Sequence, residues 1–88
     1  MSKSPGWSRA LPRVLVARAG DRIGTLDDAR AYMLALPEGV QVRPYWQRAA
    51  ELVLAAADGG DVVAATDQLA LALFIEYRLD VRATPVAY

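Results

Sequence analysis

The stretch Asp61–Leu79, DVVAATDQLALALFIEYRL, is the most apolar part of the chain and decides how the remaining elements must pack. Its segment LALAL alternates as a β-strand would. Alanine is a weak strand former, however, and the apolar pattern continues for more than a dozen residues. Asp61 can accept hydrogen bonds from the free N–H groups of a first helical turn. The stretch therefore predicts a helix from about Val62 to Leu79.

This predicted last helix is apolar on two sides, whereas a surface helix of a small domain needs one apolar stripe. One stripe, at spacings of three and four residues, is expected to face the core: Val62, Thr66, Leu69, Leu73 and Tyr77. A second line lies on nearly the opposite side and consists of Ala64, Gln68, Leu71 and Ile75, with Phe74 beside it. This line is expected either to pair with another chain or to be covered by the hairpin and a helix within the monomer.

The first alternative predicts a non-catalytic interaction protein that forms a homodimer, most simply with twofold symmetry. Its interface would consist of Gln68, Leu71, Phe74 and Ile75. An unknown protein partner could bind the same face. The second alternative makes the same residues part of the core.

A first helix is predicted to begin after Thr25, whose hydroxyl suits an N-cap. The adjacent carboxylates Asp27 and Asp28 oppose the positive end of the helix dipole, which accounts for the pair without acid–base or metal chemistry. The helix is expected to end at Leu36, because Pro37 follows it.

A second helix is predicted from about Tyr45 to Ala57, with Pro44 in its first turn and a glycine pair at its end. Between these two helices we expect a turn and then a short extended piece around Val40 and Val42. Tyr45 and Trp46 are adjacent on the helix, so they cannot both point inward.

The residues before the first helix predict a β-hairpin. Arg13–Arg18 is rich in Val and Leu, Gly20 suits the turn, and residues 22–24 form the return strand. A third short strand over residues 81–84 is possible. The fold class is therefore α+β, with a hairpin packed on three helices in two layers. We assign residues 1–11 to a flexible arm, 12–84 to one domain and 85–88 to a tail.

The composition limits the chemistry that is available. The 88 residues contain no Cys and no His, and the net charge is zero. The usual general base near neutral pH, the thiol nucleophile and the commonest zinc ligands are therefore missing. We expect no enzyme, no cofactor and no metal. An enzyme using carboxylates would need a pocket that holds Glu51 or Glu76 beside an arginine.

The first half of the chain is basic and the second half is acidic. The basic arm and hairpin could contact an anion or a nucleic acid through Trp7, Arg9, Arg13 and Arg18. A solvated surface explains the same charges, and the chain lacks a recognisable nucleic-acid motif. Nucleic-acid binding is therefore the alternative function, and the solvated surface is the favoured interpretation of these charges. Neither a signal peptide nor an apolar run of about 20 residues is present, so we expect a cytoplasmic protein without membrane contact.

The order of these elements resembles the small bacterial proteins grouped as domain of unknown function 982. The similar positions are Asp28, Ala29, Leu36, Pro37, Ala49, Val53, Ala56, Ala57 and Gly59. The family often has Trp where this chain has Leu36 and Cys where it has Val53, and its last helix ends with a Gly that LALALFIEYRLDV lacks. The resemblance covers about residues 13–82. It implies a compact α+β domain and brings no activity and no catalytic residue.

Overall fold

The computed structural model describes residues 5–80 and residue 82. After a 3-10 turn over Pro5–Ser8, the elements follow in this order: β1 (Ala10–Val16), β2 (Arg22–Thr25), α1 (Leu26–Leu34), α2 (Glu38–Gln41), α3 (Pro44–Ala57) and α4 (Val62–Ile75). The α+β class predicted from the sequence is confirmed. The helices α3 and α4 pack against each other, α4 also packs against β1, and α1 packs against β2 and α3.

The hairpin forms as predicted but starts earlier. β1 and β2 are antiparallel, with Leu15 opposite Ile23, and both side chains are buried. Gly20 has a φ of +97°, the left-handed conformation that glycine adopts without a steric penalty. β1 begins at Ala10 and Leu11 is buried. Part of the segment assigned to a flexible arm therefore belongs to the folded domain, because its apolar side chains find partners there.

The start of α1 confirms Thr25 as the N-cap and places Asp27 and Asp28 in the first helical turn. The backbone N–H of Asp28 donates to the Thr25 hydroxyl at 3.1 Å, and the Asp28 carboxylate accepts from the backbone N–H of Thr25 at 3.2 Å. This reciprocal capping box satisfies donors that the first turn leaves free. The helix ends at Leu34, two residues before the predicted end, because Leu36 N–H bonds to Met33 O in a tightened turn.

The extended piece expected around Val40 and Val42 is wrong, because residues 38–41 form the short helix α2. The N–H groups of Val40 and Gln41 both donate to Pro37 O, at 2.9 and 3.0 Å. The Gln41 side chain donates to Leu36 O at 2.7 Å and so covers the end of α1. Local hydrogen bonds after Pro37 override the two-residue alternation.

The helix predicted over 62–79 is confirmed from its start but ends at Ile75. Asp61 caps it as expected, accepting from Val63 N at 2.9 Å and Ala64 N at 3.1 Å. Its buried face consists of Ala65, Thr66, Leu69, Ala72 and Leu73. The prediction that Tyr77 belongs to the inner stripe is wrong: Tyr77 is exposed, because its φ of +57° turns the chain out of the helix.

Trp46 is the largest side chain of the core, with 2% of its surface exposed, and Tyr45 is half-buried. After α4, Leu79 forms an isolated antiparallel bridge with Ala17 at the end of β1. The third strand predicted over 81–84 lies, apart from Arg82, outside the described residues, as does the tail 85–88. Within the described part of the chain, no helix has the length and apolarity needed to span a membrane.

Candidate interaction surface

The C-terminal half of α4 leaves large apolar side chains in solvent. Leu71, Phe74 and Ile75 keep 48%, 60% and 43% of their surfaces exposed, and Tyr77 just beyond the helix keeps 80%. The opposite side of the helix is buried against α3 and β1. We call Leu71, Phe74, Ile75 and Tyr77 the α4 patch. Three of these four residues were chosen from the sequence as interface candidates.

The fourth candidate, Gln68, is placed differently. Its side chain is half-buried, and its amide Nε2 donates to the backbone carbonyl of Tyr45 at 3.2 Å. Gln68 therefore joins α4 to the first turn of α3. The apolar pattern of the sequence predicts Gln68 on the exposed side of α4. Its long side chain instead extends to α3.

Tyr77 is exposed because of the backbone conformation in which α4 ends. Its N–H donates to Phe74 O at 3.0 Å, and the next N–H, of Arg78, donates to Leu73 O at 2.7 Å. These two bonds form the Schellman motif, in which one residue takes a left-handed conformation. Arg78 O then accepts from Arg18 N at 2.6 Å, so the chain returns to the end of β1. Nothing in the sequence signals this motif, because the left-handed residue is Tyr.

A polar cluster fixes the end of α4 against the start of α3. Tyr45 donates its hydroxyl hydrogen to the Glu76 carboxylate, and the Arg43 guanidinium donates to the same oxygen. The hydrogen bond from Tyr45, then that from Arg43, and the positive charge of Arg43 hold the pKa of Glu76 below its ordinary value. Glu76 therefore joins the end of α4 to Arg43 and Tyr45 at the start of α3, and this is the role that we assign to it.

Of the four residues considered for anion or nucleic-acid contact, Trp7, Arg9 and Arg13 make side-chain contacts within the protein. The Arg30 guanidinium lies 5.2 Å from the centre of the Trp7 ring, which packs partly buried against the core. Arg9 Nη1 donates to the carbonyl oxygens of Ala56 and Gly60, at 2.7 and 3.0 Å.

Arg13 Nη1 lies 3.0 Å from Asp67 Oδ1 on α4. Arg18 is exposed, and its backbone N–H ties β1 to the segment after α4. The side chains of Trp7, Arg9 and Arg13 therefore already have partners within the protein.

The carboxylates show no metal-binding arrangement among the described residues, where no cluster of three or more suitable ligands was found. Glu51 pairs with Arg48 at 3.2 Å on the exposed side of α3. Asp58 is the C-cap of α3 and Asp61 is the N-cap of α4, so both carboxylates lie at helix termini.

Comparison of the chain with protein-family models, with curated proteins and with solved structures found no match. The resemblance to domain of unknown function 982 stays a prediction.

Proposed function

We propose that this protein is a non-catalytic interaction module that self-associates into a homodimer through the α4 patch. The observation that carries the proposal is the exposure of Leu71, Phe74 and Ile75 together at one end of a helix whose other face fills the core. Contiguous exposed apolar side chains on a small protein are typical of interaction sites.

The energetics support contact between two copies. If roughly 100 Å² of apolar surface is buried per residue, each patch side chain contributes about 2–3 kcal/mol at 25 cal/mol/Å², before the unfavourable entropy of association. A twofold dimer brings the same patch from both copies together, so an apolar patch meets an apolar patch. The net charge of zero removes long-range repulsion between the copies.

The surroundings of the patch have the polar character of an interface rim. Asp67 lies on the exposed side of α4, one turn before Leu71, and pairs with Arg13. Interfaces generally have an apolar centre and a polar, solvent-accessible border. The Arg13–Asp67 pair supplies such a border on one side of the patch.

The test is the substitution Leu71→Asp, with the molar mass measured by size-exclusion chromatography and light scattering over about a hundredfold range of concentration. We expect the unmodified chain to reach the mass of a dimer and Leu71→Asp to remain a folded monomer, because a carboxylate in the apolar centre must be desolvated. Circular dichroism checks the fold of the variant.

The matched control is Leu54→Asp, which makes the same change at an exposed leucine in the last turn of α3. This variant should keep the mass of the dimer. Monomers of the unmodified chain at every concentration would contradict the proposal. So would an unfolded Leu71→Asp variant beside a folded Leu54→Asp variant, because Leu71 would then belong to the core.

A further inference from the structure

The arginines of the chain fall into two groups according to what their side chains contact. Most of them have a carboxylate or carbonyl partner within the fold: Arg9, Arg13, Arg30, Arg43 and Arg48. The charge of Arg78 acts on the Glu76 carboxylate. The side chains of Arg18, Arg22 and Arg82 form no hydrogen bond or ion pair with any residue that the structure describes. Their guanidinium donors are therefore available to a ligand.

Two of these three arginines lie at the same cleft, between the end of β1 and the segment after α4. Backbone hydrogen bonds build the cleft, because Arg18 N donates to Arg78 O at 2.6 Å and Asp80 N donates to Val16 O at 2.8 Å. The resulting cavity of about 430 Å³ is lined by Arg18, Leu79, Asp80 and Arg82. We call it the arginine cleft. Its volume is within the range of small-molecule sites.

The arginine cleft carries an excess of positive charge. Its lining contains two guanidinium groups and one carboxylate, that of Asp80. Asp80 Oδ1 accepts from the backbone N–H of Arg82 at 3.1 Å, so this carboxylate forms part of the turn that positions Arg82. Arg22, by contrast, lies at a separate cavity, where the carboxylates of Asp21 and Asp28 outnumber it. An anion would therefore complement the arginine cleft.

The donors of the cleft favour a phosphate group over a carboxylate. Each guanidinium presents its N–H groups in a planar fork that matches two oxygens of such an anion. A carboxylate has two oxygens in one plane and suits a single fork. The three terminal oxygens of a phosphate monoester are arranged tetrahedrally, so they can accept from two arginines on different segments. At neutral pH this group carries a charge of about −1.5 to −2.

From these observations we infer that the arginine cleft binds the phosphate group of a small phosphate monoester. Arg18 and Arg82 donate to its oxygens, and its organic part lies against Leu79, which is half-buried at the cleft. The cavity is larger than a phosphate ion and so has room for this organic part. The inference does not depend on self-association, because the arginine cleft and the α4 patch share no residue.

The probe is phenyl phosphate, titrated into the nitrogen-15-labelled full chain at neutral pH and low salt and followed by NMR. We expect saturable shifts of the Arg18 and Arg82 backbone amide signals, with a dissociation constant of about 1 mM because the ligand is small and the site is open. Inorganic phosphate lacks the part that contacts Leu79 and should bind about threefold more weakly.

The variants Arg18→Gln and Arg82→Gln each remove one guanidinium from an exposed position. Each should weaken the binding of phenyl phosphate by about tenfold, because a hydrogen-bonded pair of charged groups is lost. The matched control is Arg48→Gln, which removes an exposed arginine of α3 that lies outside the cleft and should bind like the unmodified chain. Circular dichroism checks the fold of all three variants.

The inference is overturned if the shifts do not saturate up to about 20 mM phenyl phosphate. Equal weakening in Arg48→Gln overturns it as well, because any surface arginine would then have the same effect. Inorganic phosphate that binds as tightly as phenyl phosphate would restrict the site to the free ion. Tighter binding of a thymidine octamer, compared at equal concentration of phosphate groups, would assign the cleft to a nucleic-acid backbone instead. Both results contradict a site for a phosphate monoester.

Discussion

The C-termini of α3 and α4 have the same backbone hydrogen bonds but different residues at the left-handed position. At the end of α3, Gly59 N donates to Ala56 O at 3.1 Å, Gly60 N donates to Ala55 O at 2.7 Å, and Gly59 has a φ of +97°. At the end of α4, Tyr77 takes the place of Gly59. A side chain in this conformation is destabilising by about 1–2 kcal/mol relative to glycine.

The two ends also differ in what covers them. Gly6 of the 3-10 turn lies directly against the Ala57 carbonyl, and Arg9 donates to carbonyl oxygens at the end of α3. At the end of α4, by contrast, the side chains of Phe74, Ile75 and Tyr77 are exposed. Glycine would adopt this conformation at a lower free-energy cost than Tyr77. A large exposed side chain at such a position indicates a role other than stabilising the fold, which agrees with the proposed interface.

The largest effect is expected from removing the cover of α3 with Gly6→Ala. A Cβ at this position would overlap the carbonyl oxygen and carbon of Ala57, which are backbone atoms and cannot move aside cheaply. The 3-10 turn must shift away from α3, and we expect the free energy of unfolding to fall by about 2–3 kcal/mol in urea denaturation.

The control for this prediction is Gly39→Ala in α2, where a Cβ meets nothing within 4 Å. Its stability should be unchanged or slightly raised, because alanine restricts the unfolded chain. Equal stability of Gly6→Ala and Gly39→Ala would show that the 3-10 turn does not pack on α3 in solution.

An intermediate effect is expected from exchanging the residue types at the two left-handed positions. In a Leu71→Asp background, which removes the contribution of self-association, Tyr77→Gly should raise the free energy of unfolding by about 1 kcal/mol. Gly59→Ala should lower it by a similar amount, although a Cβ there has open space. Thermal denaturation of the two variants measures both changes.

Without the Leu71→Asp substitution, Tyr77→Gly should also weaken the dimer by about 1 kcal/mol, or roughly fivefold in dissociation constant. A variant that is more stable as a monomer but associates less well would separate the two roles of Tyr77. Unchanged association would remove Tyr77 from the α4 patch.

The smallest effect is expected from the cluster that holds the end of α4. Because the pKa of Glu76 is lowered in the folded protein, its contribution to stability is present above the ordinary carboxyl pKa and is lost as the pH falls below it. Glu76→Gln should therefore reduce stability at neutral pH and flatten its decline in acid.

Melting temperatures of Glu76→Gln and the unmodified chain between about pH 3 and pH 7 test this prediction. The control is Glu51→Gln, which removes an exposed partner of Arg48 and should leave the stability at neutral pH nearly unchanged, because exposed ion pairs contribute little. Parallel curves for Glu76→Gln and the unmodified chain would contradict the role assigned to Glu76.

Local signals in the sequence were sufficient for the elements that depend on neighbouring residues. Thr25 with Asp28, and Asp61 before α4, marked helix starts because capping is a contact between residues two or three positions apart. Gly20 and Gly59 marked a turn and a helix end for the same local reason. The apolar periodicity of residues 61–79 predicted α4 and placed three of the four patch residues, Leu71, Phe74 and Ile75, on its outer side.

Only the tertiary structure decided the rest, because the partners are distant in sequence. Gln68 turned inward because the Tyr45 carbonyl lies across from it, and Arg9 covers the end of a helix about fifty residues away. Tyr77 left the inner stripe because the chain must return to β1 after α4. The sequence by itself determined where helices and turns begin and which faces are apolar. Packing decided which of those faces stayed exposed, since burial depends on what the other elements can cover.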